Sequence, residues 1–327
     1  MPQTNRNSSP TIALFGAAGA IGQSIAASLR AQRTPYRVVG RSRSSLEAAF
    51  GSDPLAEIVV WDPDDPASVR SAARGIETIV YLVGVLYWQF ELHPQLMRKT
   101  LDGAIAEGVR RVLLIGTVYP FGRARTPRIA EDHAREPHTF KGKMRKQQED
   151  LLMDADAKGL IQGAVLRLPD FYGPGVEKSF LQSAFQAAVT GKQAQMIGPI
   201  DRPHEYVFVP DVGPAVVRLL AEPRASGRTW NLAGAGAIAP KDFVAKIFAQ
   251  AGRKPKMIVA GKTILRLMGL FNPLMREMVE MHYLQTEPVL MDDTALRNLL
   301  GPIQKTSYDE GIRLTLEAAR QAAGKAV

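Results

Sequence analysis

The sequence, 327 residues long, contains no cysteine. A disulfide, a thiolate nucleophile and a cysteine-held metal are therefore excluded. A cysteine-free chain fits a reducing compartment, and the expected location is the cytoplasm. No apolar run approaches the ~18 residues needed to cross a membrane. The first ten residues, Met1 to Pro10, lack the apolar centre of a signal peptide and are expected to form a flexible tail. Histidines are few (His93, His133, His138, His204 and His282), and none stands at ligand spacing from another, so no metal site is expected. A nucleic-acid module is missing too. The net charge is +9, but the basic residues are scattered and form no tail, which fits phosphate-bearing small molecules better than a nucleic acid.

What the chain does have is a hydrophobic fraction of 46%, ample for a sizeable core. It also has a glycine-rich turn close to its start. Ile12 to Phe15 is long enough for a short buried strand, and Ile25, Ala26 and Leu29 then recur at helical spacing. Between them lie Gly16, Gly19 and Gly22. Strand, glycine turn and helix form the context of a dinucleotide fingerprint. Gly16 permits the tight turn, Gly19 lets a pyrophosphate touch the backbone, and Gly22 lets the helix lie close on its strand. Gly16, Ala18, Gly19, Ala20, Ile21 and Gly22 are thus the expected contacts, with the helix N-terminus holding the phosphate charge.

A second short strand begins at Tyr36 and runs into Arg41-Ser42-Arg43. Readers of NAD place an acidic residue here, roughly 20 residues beyond the glycines, to hold the ribose hydroxyls. This sequence has none. A carboxylate would repel a 2′-phosphate, whereas guanidinium forks bind one in bidentate fashion. Arg41, Ser42 and Arg43 therefore point to NADP rather than NAD.

Strands and helices go on alternating. Glu57 to Asp62 reads as a strand, Pro66 to Arg74 as a helix, Gly75 to Gly84 as an apolar strand, Leu96 to Glu107 as a helix and Val109 to Thr117 as a strand. Such βα repeats predict an α/β fold, a Rossmann-type doubly wound parallel sheet with ligands at the carboxyl ends of its strands.

Phe15-Gly-Ala-Ala-Gly-Ala-Ile-Gly22, Trp61-Asp62, Tyr81-Leu-Val-Gly84, Gly108-Val-Arg-Arg-Val112 and Leu166-Arg-Leu-Pro-Asp-Phe-Tyr-Gly-Pro-Gly175 follow one another in a familiar order. The chain thereby resembles the extended short-chain dehydrogenases/reductases, in their epimerase/dehydratase-like branch. The resemblance implies that Asp62 lies by the adenine, that Val83-Gly84 passes along the cofactor and that Leu168-Pro169 borders the nicotinamide. It also implies that Glu205 to Val212 and Gly227 to Leu232 return to the sheet. The expected domains are the tail, an NADP-binding part over 11–170 completed by about 205–235, and a smaller C-terminal substrate lobe from 171–204 and 236–327. A small-molecule substrate and a homodimer, paired through two helices beside the site, are implied as well.

That family carries a Ser or Thr after the fifth strand and Tyr-x-x-x-Lys on the next helix. The tyrosine moves a proton at the substrate oxygen, while the lysine one turn away assists it and binds the ribose. Thr117 fits the hydroxyl. The helix departs from the pattern: Lys141 stands where the tyrosine should be, Arg145 where the lysine should be, and no tyrosine lies between Tyr119 and Tyr172. Three readings remain open. Lys141 is the proton relay, with Lys143, Arg145 and the nicotinamide cation favouring its neutral amine. Alternatively Tyr119 or a bound water does the chemistry while Arg145 holds the ribose. In the third reading Lys141 to Lys146 is a solvated basic face and the protein is a non-catalytic NADP-binding regulator or sensor. A nucleotide-sugar epimerase or dehydratase is a further alternative, although only Lys178 and Arg202 offer themselves as a diphosphate clamp.

Beyond Gly175 the pattern becomes that of a second lobe. Phe180 to Val189 reads as a helix, Met196 to Ile200 as a short strand or loop and Asp211 as the N-cap of a helix over Val212 to Leu220. Arg123, Arg125 and Arg128 either meet an anionic substrate or are solvated. The Leu- and Met-rich run from Lys262 to Met281 reads as core, with a pocket for an apolar substrate as the alternative. Its charges and Pro273 exclude a membrane span and leave a weak surface association open. Gly301 to Ala319 is expected to end the chain in a surface helix.

Overall fold

In the computed structural model, residues 9–325 are described, apart from 178 and 180. Most of the expected tail, Lys178 and the expected helix start at Phe180 lie outside the described residues.

The first half alternates as its hydrophobic pattern predicts: β1 (Ile12–Phe15), α1 (Ala20–Ala31), β2 (Tyr36–Gly40), α2 (Arg43–Phe50), β3 (Ala56–Val60), α3 (Pro66–Ala73), β4 (Thr78–Tyr81), α4 (Leu92–Ala106), β5 (Arg111–Thr117), α5 (Phe140–Ala157) and β6 (Gln162–Leu168). The second half adds β7 (Asp170–Tyr172), α6 (Gln182–Thr190), β8 (Ala194–Ile197), β9 (His204–Phe208), α7 (Val209–Leu220), β10 (Arg228–Asn231), β11 (Ala237–Ile238), α8 (Pro240–Gln250), β12 (Met257–Ala260), α9 (Lys262–Met268), α10 (Pro273–Met281), α11 (Tyr283–Thr286), α12 (Thr294–Leu300) and α13 (Tyr308–Lys325). No described helix is long and apolar enough to cross a membrane.

Seven strands form one parallel sheet in the order β10-β6-β5-β4-β1-β2-β3. The inner strands β1, β4, β5 and β6 are buried on both faces, so their side chains feed two cores in alternation, while the edge strand β3 is half-buried. On β1, Leu14 joins Ile25, Leu29, Val212 and Val216 in one layer, while Ala13 and Phe15 join Val69, Met97, Leu101 and Leu152 in the other. Strand order reverses between β1 and β4, and a crevice opens at their carboxyl ends.

Several expectations are corrected. Of the two segments expected to return to the sheet, only β10 does so, while β9 pairs with β7 and β11 in a separate three-stranded sheet. Asp211 is not a cap. It lies inside α7, and its carboxylate accepts the backbone N–H (2.7 Å) and hydroxyl (2.8 Å) of Thr306, tying the C-terminal segment to the sheet helices. Nor does the C-terminal part keep to the second lobe, because Leu296 of α12 is buried in the Leu14 layer. The second lobe has its own aromatic core, in which Tyr172, Phe185, Phe208 and Phe243 pack with Ile312 and Leu316 of α13.

Helices α1 and α7 touch through a glycine. Ser24 Oγ donates to Val209 O (2.8 Å) and accepts from Gly213 N (3.1 Å), and a Cβ on Gly213 would stand 2.2 Å from Ser24 O. Since overpacking costs about 1–3 kcal/mol, Gly213→Ala is expected to lose that much stability in urea unfolding. An unchanged midpoint would mean that the helices stand further apart.

Candidate functional site

The crevice between β1 and β4 is a cavity of about 670 Å³. Its floor is the turn after β1. Gly16 has φ +84°, and a Cβ there would meet Leu82 C at 2.8 Å; one on Gly22 would meet Ala17 O at 2.2 Å. These two glycines are required by the fold itself. Gly19 differs, because nothing lies within 4 Å of its Cβ position, which looks into open space that a ligand can fill. α1 begins at Ala20 without a side-chain cap and without an acid in its first turn. Among the described residues, the amides of Ala20, Ile21 and Gly22 find no acceptor outside the helix. Free amides at a positive dipole end suit an anionic group, and the residues present fit a dinucleotide pyrophosphate.

Most of the residues singled out in the sequence line this one cavity. They are Gly16, Ala18, Gly19, Ala20, Ile21 and Gly22 on the floor, Arg41 and Ser42 at one end, Val83 and Gly84 after β4, and Thr117, Arg145, Leu168 and Pro169 at the other end. Four do not line it. Arg43 is the first residue of α2 and pairs with Glu47 (3.5 Å) at the surface. Asp62 folds back onto Asp64 N (2.9 Å), and its neighbour Trp61 takes the wall, edge-on to Phe15 with ring centroids 5.1 Å apart. Tyr119 sits behind Thr117, whose hydroxyl accepts its N–H at 3.1 Å. Lys141, 1% exposed, turns away to Glu277 and Glu280 of α10 (2.8 Å to Glu280) and lies over the Tyr87 and Phe90 rings. Its partners are anions, the reverse of the cation cluster that a neutral-amine relay needs, and the solvated basic face fails equally at this residue.

Arg145, one helical turn on, does reach the cavity. It donates to Ile115 O (3.1 Å) and to His93 Nδ1 (3.2 Å), an acceptor because guanidinium only donates. Burial lowers the Arg145 pKa from its usual value, and Glu149 opposes that. Burial and then the Arg145 charge push His93 down to about 2, so its imidazole is neutral. Glu149 also takes Arg167 (Nη2–Oε2 2.8 Å), a buried pair that pins α5 to β6, and the half-buried Arg135 (3.2 Å).

Sequence reasoning named Tyr119 but missed its partners Tyr87 and Asp170. The Tyr119 and Tyr87 hydroxyls lie 3.0 Å apart. Burial, reinforced by Asp170, raises Tyr119 to about 12, and burial raises Asp170 against the opposing charge of His204. Both phenols therefore stay protonated at neutral pH. No local signal joins positions 87, 119 and 170; only the fold brings them together. The three arginines that the sequence leaves open to an anionic substrate or to solvation are engaged within the protein: Arg123 by Glu287 (2.6 Å), Arg125 by Glu136, and Arg128 by Met291 O (2.8 Å) and Glu205 (3.5 Å).

Comparison with known proteins agrees with this geometry. The model of the NAD dependent epimerase/dehydratase family matches residues 12–233. An uncharacterized protein of Sinorhizobium fredii, y4nL, is 22% identical over 342 residues, covering 94% of each chain. D-erythronate dehydrogenase of Cupriavidus necator is 32% identical over 127 residues, which cover 36% of this chain and 39% of that protein. Among solved structures, dTDP-glucose 4,6-dehydratase from Bacillus anthracis, in complex with NAD, aligns over 97% of this chain and 98% of its own with a TM-score of 0.80 at 13% identity.

The His93–Arg145 contact predicts a pH dependence. Above the ordinary histidine value of 6.5, His93 is neutral in both folded and unfolded chains. Below it the unfolded chain takes up a proton that the folded chain refuses, so stability falls with falling pH by up to ~1.4 kcal/mol per unit. Urea unfolding of wild type against His93→Gln is expected to show the shallower acid slope in the variant. Equal slopes would contradict a buried neutral His93.

Proposed function

Because the chain belongs to the NAD dependent epimerase/dehydratase family, we propose that it is an NADP(H)-dependent oxidoreductase acting at a carbonyl or hydroxyl carbon of a small molecule. A single observation carries the reading. One cavity joins a carboxylate-free, Arg41-bearing end, suited to a 2′-phosphate, to an end that bears Thr117 and Arg145. Bound there, the nicotinamide would supply or accept the hydride. The chain's own residues do the rest. The Thr117 hydroxyl holds the substrate oxygen, and Arg145 binds the ribose beside it. Tyr119, protonated and paired with Tyr87 behind Thr117, acts as the general acid by turning its hydroxyl past Thr117 into the cavity when the ligands are bound. Lys141, clamped by Glu277 and Glu280, keeps the Tyr87 side of that pair in place rather than relaying the proton.

A second reading, a non-catalytic NADP sensor, is favoured by one fact: neither Tyr119 nor Lys141 lines the cavity. A nucleotide-sugar substrate would need an anchor for its diphosphate. Lys178 is outside the described residues, and Arg202 is exposed and absent from the cavity wall.

Fluorescence titration is expected to show NADPH binding about tenfold or more tighter than NADH, since a bidentate charged contact contributes roughly 1.5–3 kcal/mol. Arg41→Ala should remove that preference and leave NADH unchanged. Equal affinities in the wild type would contradict the NADP assignment. In a turnover screen over aldehydes, ketones and sugar nucleotides, Tyr119→Phe is expected to lose about 100-fold or more in kcat. Tight NADPH binding without turnover across the panel would instead assign the sensor.

Lys141→Met is expected to lose about 3–5 kcal/mol in urea unfolding, because two carboxylates are left facing each other. Its remaining folded fraction should keep NADPH affinity. Full stability in the variant would contradict the clamp.

A further inference from the structure

The run from Lys262 to Met281 is core on one side only. Leu265, Met278 and Met281 turn inward and are buried. Ile264, Leu267 and Met268 recur at the spacing of one helical face, and that face of α9 points to solvent. The connection to α10 continues it: Leu270 is 74% exposed, Phe271 90% exposed, and Leu274 of α10 is exposed too. Gly269 lets α9 and α10 close on each other, a Cβ there standing 2.9 Å from Arg276 Cα. The result is a short hairpin with apolar side chains at its tip. Single exposed apolar residues need no explanation, but a contiguous group at a projecting turn marks a surface that something covers.

The charges around it indicate what. Between Asp242 and Glu277 the sequence has no acidic residue. Lys254 and Lys256 lie just before β12, Lys262 and Arg266 lie on α9, and Arg276 lies in the first turn of α10, all exposed. Among the described residues only Arg276 of these five has a carboxylate partner, its neighbour Glu277 at 3.6 Å. A second copy meeting this face about a twofold axis would bring cations against cations. An anionic lipid surface would meet them with phosphates while its acyl boundary takes up the tip. A basic flank with Leu and Phe at the apex is the composition of an interfacial anchor.

We propose that the α9–α10 hairpin docks the protein on an anionic bilayer, with Leu267, Leu270 and Phe271 entering the acyl boundary and Lys262, Arg266 and Arg276 lying at the headgroups. The same α10 carries Glu277 and Glu280, which hold Lys141 beside Tyr87. The anchor is thus built on the element that steadies the candidate site. This inference stands on the surface alone and does not depend on which cofactor or substrate the cavity takes.

Vesicle co-sedimentation of the full chain tests it, comparing phosphatidylcholine vesicles with vesicles that also carry phosphatidylglycerol. Binding is expected only to the anionic vesicles, and it should weaken as salt is raised. Leu270→Gln with Phe271→Gln should weaken it about tenfold or more, and Arg266→Glu about fivefold or more. These side chains are exposed, so circular dichroism and NADPH affinity should not change. Phe271→Trp should show a blue shift of its emission on anionic vesicles. No binding to anionic vesicles, or binding indifferent to the tip variants, would overturn the proposal. A concentration-dependent dimer that Phe271→Gln dissolves, with no vesicle binding, would overturn it too and assign the face to a second copy.

Discussion

Backbone approach at the first βα turn is the constraint on which the rest depends. At Gly16 and Gly22 the chain passes so near itself that a single methyl group would collide with main-chain atoms. That crowding sets α1 hard against β1 and aims its uncapped N-terminus into the crevice where the strand order reverses. Gly19 is under no such pressure from the protein, and its freedom points outward. A turn in which two glycines serve the fold and a third serves nothing inside it is shaped for a visitor that presses on the backbone.

Helix α5 shows how one helical turn separates two fates. Lys141 and Arg145 share a face of α5, at the spacing that family members use for their tyrosine and lysine. Arg145 projects into the cavity and is steadied by Ile115 O and His93. Lys141 is caught by two carboxylates that lie 136 and 139 residues further along the chain. Lys141 and Arg145 therefore divide into one group that faces the cavity and one that ties two parts of the protein together. The hydroxyls nearest the candidate reaction come from Thr117 and, behind it, from Tyr119.

Where the signal was local, the sequence could be read. Apolar runs and helical spacing between turns specify the βα units of the first half, and the glycines specify their first connection. Arg41 was legible because its offset from those glycines is short. The errors arose where distant segments decide. Val209 and Pro210 start α7 ahead of Asp211, which frees that carboxylate to hold Thr306. β9 is apolar enough for the main sheet but finds its partners in β7 and β11. Arg123, Arg125 and Arg128 looked available because their carboxylates and carbonyls lie on other loops. The Leu- and Met-rich run looked like core because composition does not say which face of a helix meets a neighbour.

Cofactor site, clamped helix and projecting hairpin follow one path through the molecule, from the sheet through α5 to α10. Its origin is the proposition that a phosphorylated dinucleotide lies across the first turn. A crystal structure of the protein grown with NADP tests that most directly. The pyrophosphate is expected within hydrogen-bond reach of the Ala20 to Gly22 amides and the 2′-phosphate against Arg41. A nucleotide lying elsewhere, or a first turn that stays empty at saturating NADP, would contradict it.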